Sequence, residues 1–405
     1  MPNLANNKEC TGCAACFNVC QKSAITMLED AEGFLLPRVH TTRCVECGMC
    51  EKRCPAIHPL TSETKEQKAY ALINSIDRKQ SSSGGAFSLF ARYVLERDGI
   101  VFGAAMNDNL HVSHIKVDRV EDLNRLRGSK YVQSAIGRIY QDVKQELNVG
   151  RLVLFSGTPC QVAGLYAFLG KRYEENLMTL DLVCHGVPNQ KTFDTYLRKL
   201  KNSNRLSMGD GNVERIRFRK LDSWSIVPSV KFSKTKWQML EQEDNAYMGA
   251  FFKGLTYRES CFRCPYANLK RMGNFTIADF WGIGRHGKPF KKDVSSGISL
   301  VLDNCGRMIT LIDELQKHAY IEERDIKEAV AENGNLKHPL ERPESRDSAV
   351  KDLLDEKITL LDYSGKYGLL KKENLKYYVS KCLRSLIYAL RLYNVYKRIS
   401  YKLGK

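Results

Sequence analysis

From Ala69 onward, short apolar runs alternate with stretches in which apolar residues return every three or four positions. Short runs rich in β-branched and aromatic residues suit strands, and a return every three or four suits helices with one buried face. On that basis strands are predicted at Tyr70 to Ile73, Ile100 to Ala105, Leu152 to Phe155 and Met178 to Cys184. Helices are predicted at Ala86 to Glu96, Ala135 to Leu147, Cys160 to Leu169 and Lys191 to Lys201. Alternation of this kind implies an α/β domain. Val213 to Arg219 and Val230 to Phe232 read as β-rich, and Phe275 to Ala278 with Ile298 to Leu302 read as further strands, so the sheet is expected to be mixed. After Pro343 the pattern turns polar. A last helix is predicted from Leu375, with Leu375, Val379, Leu383, Ile387 and Leu390 near one face.

Before Ala69 the texture differs, and Pro59 to Lys68 reads as a polar linker. The expected organisation is an α+β ferredoxin-like two-cluster module over residues 1–58 and a linker over 59–68. A larger α/β mixed-sheet domain follows over 69–345, and a basic helical tail over 346–405. At 405 residues and 43% hydrophobic the chain can build one large and one small core. No stretch approaches the roughly 20 unbroken apolar residues of a membrane-spanning helix. The net charge of +17 is concentrated at the end, where residues 371–405 hold ten Lys or Arg and a single acid. With leucines and tyrosines between these cations, contact with an anionic membrane is one reading; a helix packed on its own domain with a solvated basic face is the other. No zinc-finger, RNP or helix-turn-helix signature accompanies the charge, so no nucleic-acid partner is expected.

The small module is defined by its cysteines. Cys10, Cys13, Cys16 and Cys20 follow a C-x2-C-x2-C-x3-C spacing, which recurs at Cys44, Cys47, Cys50 and Cys54, with Pro55 after the last. This is the run of a two-cluster 4Fe-4S ferredoxin, in which the fourth cysteine of each run ligates the other cluster. Cys10, Cys13, Cys16 and Cys54 are therefore assigned to one cluster, and Cys44, Cys47, Cys50 and Cys20 to the other. Gln21 stands where a proline usually follows Cys20. Zinc sites more often take two separated pairs of ligands. Disulfides are disfavoured because no signal peptide is apparent and the thiols are expected in a reducing cytoplasm.

In the large domain, Ser81-Ser82-Ser83-Gly84-Gly85 follows the first strand and opens a helix, an arrangement that offers backbone N–H groups and a helix dipole to an anion. Phe155-Ser156-Gly157-Thr158-Pro159 forms a second strand-to-helix junction. Gly128-Ser129-Lys130-Tyr131 adds a turn with a cation for a phosphate or a ring edge. The candidate cofactor-binding residues are thus Ser83, Gly84, Gly85, Lys130, Ser156, Gly157, Thr158 and Asp279, the last able to orient a ring nitrogen or ribose hydroxyl or simply to cap its turn. His185 could deliver a proton or be structural, and no catalytic residue is assigned. Cys160, Cys184, Cys261 and Cys264 could converge on one rim of the sheet around a third 4Fe-4S cluster. On spacing alone, two packing cysteines and a separate redox or zinc CxxC pair fit as well. Cys305 and Cys382 read as packing residues.

The stretches SSSGGAFS, RGSKYVQS, FSGTPCQVAGL, DLVCHGVP, RESCFRCPYANLKR and TIADFWGI, within about residues 69 to 300, resemble the coenzyme F420 hydrogenase/dehydrogenase beta-subunit family. The resemblance implies FAD around Ser83 to Gly85 and Ser156 to Thr158, and favours Cys160, Cys184, Cys261 and Cys264 as ligands of a further 4Fe-4S cluster. Family members pass electrons between a reduced deazaflavin, flavin and iron-sulfur centres; bacterial relatives are similar to proteins encoded among surface-polysaccharide biosynthesis genes. The expected protein is a cytoplasmic iron-sulfur flavoprotein oxidoreductase. Its redox partner would be a reduced deazaflavin, a ferredoxin or a partner oxidoreductase subunit, and its substrate at the flavin a deazaflavin or a glycan precursor. A non-catalytic electron-transfer subunit and a membrane-bound scaffold are the competing readings.

Overall fold

The amino-terminal module is a hairpin flanked by two short helices. Strands β1 (Ile25–Glu29) and β2 (Leu35–Val39) pair antiparallel, and one Asp30 carboxylate oxygen accepts from the amides of Glu32, Gly33 and Phe34 to tie the turn. Helix α1 (Ala15–Val19) carries Cys16, and α2 (Met49–Lys52) carries Cys50. Both cysteines are buried against Ile25.

The computed structural model describes residues 2–60, 66–170, 173, 175–209, 211–221 and 223–371, with Leu383, Leu386 and Leu392 beyond. The helix predicted from Leu375, the proposed membrane contact and Cys382 lie outside the described residues.

The large domain is organised on an eight-stranded sheet. Its strands are β3 (Lys68–Asn74), β4 (Ile100–Met106), β5 (Val112–Val117), β6 (Val153–Gly157) and β7 (Leu177–Leu182). A separate three-stranded sheet follows, from β8 (Val213–Arg217), β9 (Ser229–Phe232) and β10 (Gln238–Met239). The large sheet is then completed by β11 (Phe275–Asp279), β12 (Ser299–Asp303) and β13 (Ala319–Arg324). The order across it is β13-β3-β12-β11-β7-β6-β4-β5. The four central strands β11, β7, β6 and β4 run parallel, with antiparallel strands on both sides. The mixed sheet expected from the sequence is thus present, but β5 and β13 carry His, Lys, Glu and Arg and had no apolar signature to announce them.

Both faces of the sheet are covered, and alternate residues point to opposite sides, as a pleated strand requires. Val101, Leu154 and Val301 face α3 (Ala86–Leu95), whereas Phe102, Val153 and Phe155 face α4 (Ile139–Asn148) and α5 (Pro159–Leu169). Helix α4 begins at Ile139, later than the apolar pattern suggested, because Ala135 pairs with Ser113 as an isolated bridge beside β5. A second core gathers α6 (Gln190–Leu200), α7 (Ala246–Phe252) and the small sheet. Helix α8 (Met308–Gln316) joins the α3 side of the large sheet, and α9 (Ile326–Ala331) the opposite side.

Residues 346–371 do not form a detached tail. Helices α10 (Arg346–Leu354) and α11 (Leu360–Lys366) bury Ala349, Leu353, Leu360 and Tyr363 in the α6–α7 core. Arg346, nearly fully buried, donates to both carboxylate oxygens of Glu32 at 2.6 and 2.7 Å, and so links this end of the chain to the amino-terminal hairpin. Among the described residues no helix is long and apolar enough to cross a membrane.

Candidate functional site

A cleft of about 320 Å³ opens at the carboxyl ends of the central parallel strands, where open α/β sheets bind ligands. Ser83, Gly85, Lys130, Ser156, Gly157, Thr158 and Asp279 all line it. Gly84 does not. A Cβ there would lie 2.1 Å from Leu72 O and 2.3 Å from Ser299 N, so Gly84 instead lets the loop press onto β3 and β12.

The two helix starts facing the cleft differ in what they offer. At α5, Thr158 and Gln161 form a capping box, with the Thr158 amide donating to Gln161 Oε1 at 3.0 Å, so that helix satisfies its own first turn. Helix α3 is entered through Gly85 at φ +87°, which supplies no cap of its own; the Ala86 amide donates to Ser299 Oγ at 3.3 Å. Its first turn, with Ala86, Phe87 and Ser88 also on the cleft wall, is the better place for an anionic group.

Two of the sequence candidates are engaged within the protein. The Lys130 ammonium donates to the carbonyls of Leu126 at 2.8 Å and Arg127 at 2.9 Å. Burial pushes its pKa down to about 7, while these acceptors favour the charged form. Asp279 accepts from Arg219 Nη1 at 2.6 Å and from Trp224 Nε1 at 2.8 Å, so its first role is to fix that guanidinium and the indole. Trp224 stacks on Trp281, which itself lines the cleft, at 5.0 Å between centroids. Leu182, Val183 and Ile277 add an apolar wall suited to a ring system, and His185 opens onto the same space.

His114 carried no signal in the sequence. It is buried at the cleft, with Nδ1 2.7 Å from Ser134 Oγ and Nε2 2.9 Å from Ser156 O. Because a carbonyl can only accept, Nε2 carries the proton and Nδ1 accepts from the serine. Burial lowers its pKa to about 4, which keeps the ring neutral.

Cys184 also lines the cleft. Burial raises its pKa well above the usual thiol value, and the neighbouring Cys261, Cys160 and Cys264 raise it further. Cys264 likewise raises Cys160, and Cys160 and Cys264 both raise Cys261, so the four residues converge. Several specific contacts bring them together. Arg258 N bonds Val187 O at 3.0 Å, pairing the backbone beyond Cys184 with that before Cys261. Gly186, at φ +148°, lies where a Cβ would fall 2.2 Å from the Tyr257 ring, so a side chain would force these loops apart. The Asp181–Arg271 pair, 2.9 Å apart and fully buried, ties the loop after Cys264 to the end of β7. Arg271 also donates to Tyr266 O, and Asp181 accepts from the amides of Met272 and Gly273.

The amino-terminal cysteines abut this group. Cys54 lies close enough to raise the pKa of Cys10, Cys13 and Cys16, and Cys10 and Cys13 also feel Cys160; Cys50 feels Cys20 and Cys47 instead. One turn beyond Cys160, Gly164 leaves room for Cys13, whose Sγ would lie 3.2 Å from a Cβ there. The Tyr140 hydroxyl bridges Cys13 O at 2.9 Å and Gln161 O at 2.7 Å. Buried Arg258 donates to Cys10 O, Leu35 O and Gln133, and Ser260 Oγ donates to Cys10 O. Burial raises Cys13 and Cys261 to about 12 and Cys160 to about 11, so these are neutral thiols unless a metal displaces the proton. Among the described residues, no three His, Cys, Asp or Glu side chains are drawn together tightly enough to hold a single metal ion; a cubane is wider and takes each thiolate on a different iron.

Residues 150–329 match the model for the C terminus of the coenzyme F420 hydrogenase/dehydrogenase beta subunit, and residues 9–57 match the 4Fe-4S dicluster domain. The central part of the large domain is thus similar to that beta-subunit family, behind an amino-terminal dicluster domain. With this likeness and a dicluster module, the chain is an iron-sulfur electron-transfer protein related to the F420 hydrogenase beta subunit. A chain of the F420-reducing [NiFe] hydrogenase complex from Methanosarcina barkeri is similar to this one at 15% identity and TM-score 0.44, over 76% of this chain and 92% of that one. No curated protein matches it.

Proposed function

We propose that the chain is an FAD- and iron-sulfur-dependent oxidoreductase. FAD would lie in the cleft, a third 4Fe-4S cluster on Cys160, Cys184, Cys261 and Cys264, and the amino-terminal pair would extend the relay. The observation that carries this reading is that Cys184 belongs both to the cleft wall and to a cysteine set whose member Cys160 neighbours Cys13. The residues suit the cofactor. The start of α3 can take a phosphate, and Leu182, Val183, Ile277 and Trp281 can flank a ring. Flavin, when bound, exchanges electron pairs with a hydride donor or acceptor and single electrons with clusters.

The chain's own residues position and enclose. The Arg219–Asp279–Trp224 contacts fix one wall, neutral His114 fixes Ser134 and the Ser156 carbonyl, and Lys130 braces the Leu126–Arg127 turn. The substrate at the flavin is a reduced deazaflavin or a glycan precursor, as the family relationship suggests, and the protein works in the cytoplasm. Anaerobic purification followed by iron and flavin assays tests the reading, with about twelve irons and one FAD expected per chain. Eight irons without flavin would leave a relay subunit whose partner performs the chemistry.

A further inference from the structure

Among the described cysteines Cys47 is the exposed one, and Val45 and Met49 on either side of it are exposed as well. Beside this corner a groove runs between the module and helices α4 and α5. Val19, Met49, Val149 and Phe168 supply its apolar surface, and Arg53 and Lys144 its charge. Val19 flanks Cys20, while Met49 and Arg53 immediately precede Cys50 and Cys54, so an occupant lies next to residues that hold three of the module's cysteines. The remaining lining is Leu169 and uncharged amides; no carboxylate faces the groove. Of the nearby acids, Glu51 accepts from the Asn3 amide and Glu146 pairs with Lys116 and Arg151.

We infer that this groove is the docking site of an acidic protein that carries one electron at a time. Val149, with 69% of its surface exposed, gives an apolar contact in the groove, and the two cations give complementarity to an acidic rim. Apolar contact with matched charge is how transient redox partners combine rapid encounter with quick release. In each encounter the carrier loses one electron and the module gains one, or the reverse, and no atom is exchanged. The inference rests on the relay reading in assigning Cys20, Cys44, Cys47 and Cys50 to one cluster.

The test is calorimetric binding of a gallium-substituted, redox-silent acidic plant-type ferredoxin to the anaerobically purified full chain, at low and high salt. Wild type should bind, and more weakly as salt rises. The Lys144→Glu/Val149→Asp variant should lose about tenfold or more in affinity, while Lys357→Glu/Ile309→Asp, the same charge change at exposed sites elsewhere, should not. No binding by wild type, equal loss in both variants, or equally tight binding of a basic c-type cytochrome overturns the inference. Iron assays on the same samples separate the two readings. Intact amino-terminal clusters with binding indifferent to the groove sink the docking site alone, and loss of those clusters from wild type sinks the relay as well.

Discussion

The amino-terminal cysteines all fall within the first 54 residues, whereas Cys160, Cys184, Cys261 and Cys264 are drawn from three separate segments of the large domain: the start of α5, the loop after β7 and residues 261–264. The first set is fixed by local geometry, with short helices and a tied hairpin turn, and it reaches the surface at Cys47. The second depends on contacts between distant segments and lies half-buried beside the cleft. A local ligand run can survive as a small module fused to many partners. A set assembled across a sheet exists only while that sheet is folded, so the proposed inner cluster should be the more fragile of the two.

The strongest way to break the contrast is Asp181→Ala. It leaves Arg271 as an uncompensated buried charge, and removing one partner of a buried pair costs about 3–5 kcal/mol. Denaturant unfolding should show that loss. Iron assays should show about four irons missing per chain, with the amino-terminal eight retained. Loss of iron from both sets in equal measure would mean that the two are not built independently.

That difference also decides what could be read from the chain. The ferredoxin spacing, the α/β alternation and both strand-to-helix junctions were legible because each is a short pattern with a local cause. The convergence of Cys184 with Cys261 and Cys264 was only one of two open readings, because it depends on Arg271 reaching Asp181 and on Val187 pairing with Arg258, contacts with no periodicity. His114 was invisible for a related reason: it lies on β5, whose Val-Ser-His-Ile-Lys-Val sequence is too polar to stand out. Lys130 and Asp279 were found by sequence, but their nearest partners are the protein's own carbonyls, Arg219 and Trp224.

A pH titration of the holoprotein sharpens the comparison from the cleft side. His114 has a folded pKa of about 4, below the ordinary imidazole value, because it is buried. Between those values the unfolded chain binds a proton that the folded chain does not. Its contribution to stability is therefore complete above about pH 6.5 and is lost as pH falls toward 4, about 1–3 kcal/mol in all. The measurement is the urea midpoint at several pH values, compared with His114→Asn. The variant should be less stable near neutrality because Ser134 and Ser156 O lose a well-placed partner, and its midpoint should vary less over that window. Parallel slopes would remove His114 as the group responsible.

The smallest expected effect on stability comes from Gly164→Ala, at the boundary between the two cysteine sets. Alanine inside a helix gains roughly 0.5–1 kcal/mol over glycine. The new methyl would fall 2.8 Å from the Tyr140 hydroxyl and 3.0 Å from Cys13 Cβ, an overpacking of the kind that costs about 1–3 kcal/mol. The gain offsets part of the cost, so the net loss should be about 0–2.5 kcal/mol and the unfolding midpoint should fall modestly. The distance across the boundary has no such compensation, since the methyl can be accommodated only by moving Cys13 away from α5. Electron paramagnetic resonance of the reduced protein should then show weaker magnetic interaction between centres, with iron content unchanged. An unchanged spectrum would mean that Cys13 and Cys160 do not set the spacing between the amino-terminal clusters and the proposed inner one.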